Sequence, residues 1–151
     1  MSAQAANKQV IIRDSTLSLS KRASALDIGH VQAGTDINFL SESTFVANKK
    51  FINLMHSILK ENIHEDKFFQ SLAATYQNNY MAIYDFRSPP VYGRIPEVQD
   101  IFGMVRVDSE GEIVPGSYEK NDMYRIVTSD GICQFSDDIL HKLRAACEKQ
   151  V

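Results

Sequence analysis

Three features of the chain point to an α+β fold. Apolar residues recur at helical spacing between residues 43 and 84, strand-like runs with turn signals follow from Ile101 to Phe135, and a last helical stripe closes the chain. Helices and strands are thus segregated rather than alternating. The expected architecture is a small antiparallel sheet of three to four strands, packed by a helical hairpin and a C-terminal helix, with a partly extended N-terminal arm. A length of 151 residues suits one domain and is enough to bury a core without disulfides or metals. The division expected is an arm over residues 1–40, mobile or draped, and one α+β domain over residues 41–151.

The arm is expected because residues 15–20 alternate Ser and Thr with leucine and offer no large apolar run. Gln9 to Arg13 reads as a short edge strand, and Gly34-Thr35-Asp36 as a turn. The first helix carries Phe51, Leu54, Met55, Ile58 and Leu59 on one stripe. Asn62, with Glu65 three residues on, fits a helix start in which the amide oxygen accepts an orphan N–H and the carboxylate reaches back. A second stripe of Phe69, Leu72, Ala73, Tyr76, Tyr80 and Ile83 completes an antiparallel helical hairpin.

Downstream, Ile101 to Val107 reads as a strand that turns at Ser109-Glu110-Gly111, with Glu112-Ile113-Val114 returning. Met123 to Thr128 is the clearest strand, and Asp130-Gly131 signals a hairpin to Ile132–Phe135 because glycine permits a left-handed turn. Ser136 then caps a last helix, with Asp137 and Asp138 at its positive end. Ile139, Leu140, Leu143, Ala146 and Cys147 form its inner face.

Charge narrows the function. The net charge of −3 argues against general nucleic-acid binding, for which a basic domain is expected. No stretch approaches the length of a membrane helix. Two cysteines, Cys133 and Cys147, show no zinc or redox spacing and point to a reducing compartment, so the expected location is cytoplasmic. The basic, Ser-rich start, with Lys8, Arg13, Lys21 and Arg22 against Asp14, leaves a mitochondrial presequence as the alternative. Residues 85–138, by contrast, carry eleven acids and five bases, net −6.

No reaction is legible. His30, His56, His64 and His141 are scattered and lie in no catalytic or metal-binding motif, and no phosphate loop is present. The acidic turn Asp108 to Glu112 has too few oxygen ligands for a calcium loop and reads as solvated. No metal and no cofactor is expected. Arg94, Arg106 and Arg125, with Arg87 and nearby tyrosines, are candidates for an anion site, since arginine forks match phosphates and carboxylates. In so acidic a region ion pairs absorb most of them. Lys21-Arg22-Ala23-Ser24 makes Ser24 a candidate modification site for a basophilic kinase.

The most specific pattern is Pro89-Pro90-Val91-Tyr92, which matches the Pro-Pro-x-Tyr ligand of WW domains. Consecutive prolines pre-set a polyproline II backbone, so docking on an aromatic groove orders few new bonds. The alternative is a rigid connector in which Tyr92 packs over the core. The function expected is therefore a non-catalytic protein-interaction module, an adaptor or a subunit of a larger assembly, with Pro89, Pro90 and Tyr92 at the contact. The alternatives are a small-ligand or anion binder, or an enzyme, with an Arg/Tyr/His pocket in the C-terminal half, and a homodimer built on an exposed sheet edge.

Overall fold

The computed structural model describes residues 9–35, 40–90 and 95–149. The fold is α+β, with antiparallel sheets of four, three and two strands and three α-helices among the described residues.

The first sheet is a meander of β1 (Ile11–Arg13), β2 (Thr16–Ser18), β3 (Gly29–Val31) and β4 (Phe45–Ala47), hydrogen-bonded in that order. Residues of the expected N-terminal arm thus form strands, and the boundary placed at residue 41 falls between two paired ones, with Val31 opposite Phe45. The alternating Ser and Thr residues hid a two-residue period whose apolar members, Leu17 and Leu19, are fully buried. The turn between β1 and β2 is made by Asp14 and Ser15, with Asp14 at φ 55°, a left-handed conformation that aspartate tolerates. Gly29 is required by close approach, because a Cβ there would strike the Val46 carbonyl oxygen and the Phe45 ring.

Main-chain and side-chain bonds fasten this sheet to the end of the chain. The Leu26 N–H donates to the Cys147 carbonyl (2.9 Å), satisfying an orphan acceptor of the last helical turn. Arg144 Nε donates to Leu19 O (2.7 Å), and Ser20 Oγ donates to Glu148 (2.6 Å). The Gln9 amide pairs with the Phe135 main chain in both directions, each bond 2.9 Å.

Helix α1 (Lys49–Asn62) starts at Asn48, whose side chain accepts the Lys50 N–H, and buries Phe51, Met55 and Leu59 at four-residue spacing. A 3-10 turn over Ile63–Glu65 leads to the short helix α2 (Lys67–Ala73). The second helix of the expected hairpin is therefore a truncated one. Its cap is Asp66, which accepts the Phe69 N–H (3.1 Å), and Asn62 instead accepts from Lys142 Nζ (2.9 Å). Tyr80–Tyr84 form strand β5, reached through Asn78 at φ 59°. Met81 and Ile83 are buried while Tyr80 is 68% exposed, a period of two that the coincidental spacing of Tyr76, Tyr80 and Ile83 had disguised as helical.

Strand β5 pairs antiparallel with β6 (Ile101–Arg106), and β6 with β7 (Glu119–Lys120); Val107 and Ile113 form an isolated bridge. Gly103 faces the Tyr118 ring so closely that a Cβ would collide with it. The expected strand over 123–128 shortens to β8 (Val127–Thr128), which turns through Ser129 and Asp130 into β9 (Gly131–Ile132). Helix α3 (Asp137–Lys149) follows, with Ser136 Oγ accepting the Ile139 N–H and with Ile139, Leu143 and Cys147 buried. One continuous cluster joins Leu17 and Leu19 of the first sheet, the α1 and α3 faces, and Met81, Ile83 and Val105 of the second sheet.

Candidate functional site

Strand β5 is followed by Asp85, and β6 is preceded by Asp100; both carboxylates are buried at the edge of the core, as is the Arg87 side chain between them. Arg87 Nε donates to Asp100 Oδ1 (2.8 Å). Its Nη1 donates to the carbonyls of Ile126 (2.7 Å) and Gly131 (3.4 Å), and its Nη2 to those of Gln99 (3.0 Å) and Arg125. A guanidinium has five N–H donors, and all five are engaged. The guanidinium carbon also lies 5.3 Å from the Tyr124 ring centroid.

Asp85 is as fully used. Its Oδ1 accepts the main-chain N–H groups of Arg87 and Gln134, both at 2.9 Å, and its Oδ2 accepts the Tyr124 hydroxyl (2.6 Å). Burial pushes the Asp85 carboxyl up to about 6, and Arg87, Tyr124 and the two N–H groups restrain it from going higher. Burial, with the Asp85 and Cys133 charges added, raises the Tyr124 hydroxyl well above its ordinary value. Burial opposes the Arg87 charge, but Tyr124, Asp85 and Asp100 outweigh it and hold the guanidinium protonated. Burial likewise raises the Cys133 thiol well above its ordinary range. No donor of Arg87 is left for a substrate anion, so this network is a structural joint. It gathers five stretches of chain, around residues 85–87, 99–100, 124–126, 131 and 134.

The joint also closes a loop. Segment 88–99 connects β5 to β6, and its ends are held by the Arg87–Asp100 ion pair, by Arg87 on Gln99 O, and by the Asp85 N–H on Asp100 O (2.7 Å). Asn121 ties the returning limb, its Nδ2 donating to Val98 O (2.8 Å) and Ile101 O (2.9 Å). Above this fastened base the apolar side chains face water. Ile95 is 85% exposed, Val98 49%, and Met123, beside Asn121, 53%. Pro89 is exposed and Pro90 half-buried. Tyr92 and Arg94 lie outside the described residues.

The remaining sequence candidates are dispersed. Arg125 lies beside the segment that precedes β6, its N–H on Gln99 O and its Nη1 turned to Asp122 and Tyr124 carbonyls. Arg106 is exposed at the other end of β6, and five strand residues separate the two ends by roughly 17 Å. Ser24 is exposed in the turn between β2 and β3. Its neighbour Arg22 lies 3.9 Å from Glu148. His56 Nδ1 is hydrogen-bonded to the Tyr118 hydroxyl (2.8 Å), which lies 3.0 Å from Phe102 O as a donor. Burial, with Lys120 nearby, lowers His56 to about 4, against the weaker opposing pull of Asp122. That imidazole is neutral at ordinary pH and has neither carboxylate nor guanidinium as a hydrogen-bond partner. Among the described residues no three His, Cys, Asp or Glu side chains gather as metal ligands, and no helix is long and apolar enough to cross a membrane.

In the sequence Asp85 and Asp100 are legible only as two of the eleven acids between residues 85 and 138. No local spacing marks them as buried, since Asp108 also follows an apolar strand and is only half-buried. Comparisons with protein-family models, with curated proteins and with solved structures find no match to this chain.

Proposed function

We propose that this protein is a non-catalytic protein-interaction module, an adaptor or subunit of a larger assembly, whose contact surface is the loop carrying Pro89, Pro90, Ile95 and Val98 together with Met123. The observation behind this reading is the inversion at the loop. Charged side chains are inside at its base, where Arg87 and Asp85 are fully hydrogen-bonded and Asp100 is held through Oδ1 with Oδ2 unpaired, while large apolar side chains are outside at its flank. Exposed apolar groups on a held loop are what a partner can desolvate at little ordering cost. Two buried cysteine thiols fit a reducing compartment, and the cytoplasm is the location proposed.

The test is photo-crosslinking in the native cell from residue 95 or 98, with residue 32 on the first sheet as control. The same protein partner captured from both loop positions, and absent from the control, supports the reading. Equal capture from all three positions, or co-purification of a small molecule with no cross-linked protein, overturns it. Within the reading, a WW domain as partner requires Tyr92, so titration with an isolated WW domain is expected to lose its binding signal on Tyr92→Ala. Unchanged binding in that variant removes the Pro-Pro-x-Tyr contact.

A further inference from the structure

Beside the loop base the molecule carries a second feature that the interaction reading has not used. A groove of about 450 Å³ opens where the start of α2 meets the start of α3, lined by Phe68, Phe86, Lys67, Asp66, Asp137 and Asp138. We propose that this groove receives the guanidinium of an arginine carried by a peptide segment of a protein partner. The proposal rests on the interaction-module reading for the source of the arginine; the chemistry of the groove is argued independently.

The aromatic wall comes first. Phe68 is 45% exposed, yet its ring is positioned edge-on against Phe86 (centroids 4.8 Å) and Phe69 (5.0 Å). Tyr84 completes the cluster, its centroid 6.3 Å from Phe68. A fixed ring with a solvent-facing surface is a site for a flat cation, and arginine stacks on such faces better than lysine because its charge is planar and weakly hydrated.

Charge points the same way. The lining residues hold three carboxylates and one ammonium, a formal balance of −2. Asp66 is occupied at the back of the groove, where it caps α2 and accepts the Ser136 hydroxyl, and Asp138 accepts the Lys67 N–H (3.1 Å). Asp137 is exposed. The start of α3 contributes roughly +0.5 of a charge, which two adjacent carboxylates more than reverse. An anion is therefore repelled here and a cation attracted. Position matters too: Phe86 directly precedes Arg87, so the groove borders the root of the Pro89-Pro90 limb, and one peptide can touch both.

The experiment is an NMR titration of the ¹⁵N-labelled full chain with N-acetyl-arginine N-methylamide, compared with the corresponding lysine and norleucine compounds. Saturable shifts are expected at the amides of Lys67, Phe68, Phe86 and Asp138. The arginine compound is expected to bind about two- to fivefold more tightly than the others, and Phe68→Ala or Asp137→Asn to weaken it by a similar factor. Should Phe68→Ala fail to fold, Phe68→Leu keeps the apolar bulk without the ring face and must show the same loss. An equal response to norleucine, shifts spread over unrelated acidic surface, or undiminished binding in the folded Phe68 variant overturns the proposal. Loss of the arginine response with loop cross-links intact defeats the groove alone; loss of cross-links with the arginine response intact defeats the module reading alone.

Discussion

Arg87 shows how a charged side chain is kept inside a small protein. Its five N–H donors meet one carboxylate oxygen and four carbonyls, so the cost of removing the charge from water is offset because no donor of the guanidinium is left unsatisfied, although Asp100 Oδ2 beside it is buried without a partner. Removing the arginine strands Asp85 and Asp100 without their cation. Arg87→Met is expected to lower stability by about 3–5 kcal/mol in urea unfolding. Arg87→Lys should recover little of it, since an ammonium cannot reproduce the fork. A loss below about 1 kcal/mol in Arg87→Met would mean that the network is peripheral to the fold.

Asp85 makes the same joint sensitive to pH. Its folded-state value, about 6, lies above its ordinary value of 3.8, so between those two the folded protein binds more protons than the unfolded chain. The contribution from Asp85 is fully present below about pH 4 and is lost as pH rises through about 6. Denaturant midpoints measured from pH 4 to 7 in wild type and Asp85→Asn should differ in slope, the variant lacking a decline on the order of 1–3 kcal/mol. Parallel curves would show that Asp85 titrates at its ordinary value.

Elements built on three to five residues were the hardest to read from the chain. Helices α1 and α3 were legible because each repeats its apolar stripe on successive turns, and α3 also shows its cap, Ser136, whereas the α1 cap, Asn48, is seen only in the structure. Strand β6 was legible from its composition. The first sheet was legible only at its edge strand, read as Gln9 to Arg13 and found as β1; its other strands are three residues long, and Leu17, Leu19, Ile28 and Val31 mark its buried face. Strand β5 was concealed by a spacing that fits both periods, and the long strand expected at 123–128 pairs only near its end, the Arg125 carbonyl turning to Arg87 while the Ile126 carbonyl is shared by Arg87 and the Cys133 N–H. A sheet and an arm differ sharply in energy. Leu17→Ala is expected to cost about 2–5 kcal/mol, the usual loss for a fully buried leucine. A loss within about 0.5 kcal/mol would return residues 9–35 to the status of a loose arm.

At the level of the assembled chain, the buried joint and the exposed loop have separate consequences. The single cluster that runs from Leu17 to Cys147 supplies the stability, and the Arg87 joint anchors the loop to that cluster. The candidate site was legible only in part. Pro89, Pro90 and Tyr92 stood out as a pattern, whereas the exposure of Ile95, Val98 and Met123 is set by tertiary packing that no local spacing encodes. Groups so exposed contribute little to folding, so a chain with Ile95, Val98 and Met123 all changed to alanine should unfold within about 0.5–1 kcal/mol of wild type. What that triple variant should lose is the partner. The deciding measurement is the yield of partner cross-linked from residue 89 in wild type and in the folded triple variant: a fall of about tenfold or more, which the loss of even one hot-spot side chain would give, is the outcome expected here, and an unchanged yield contradicts a contact made through this loop.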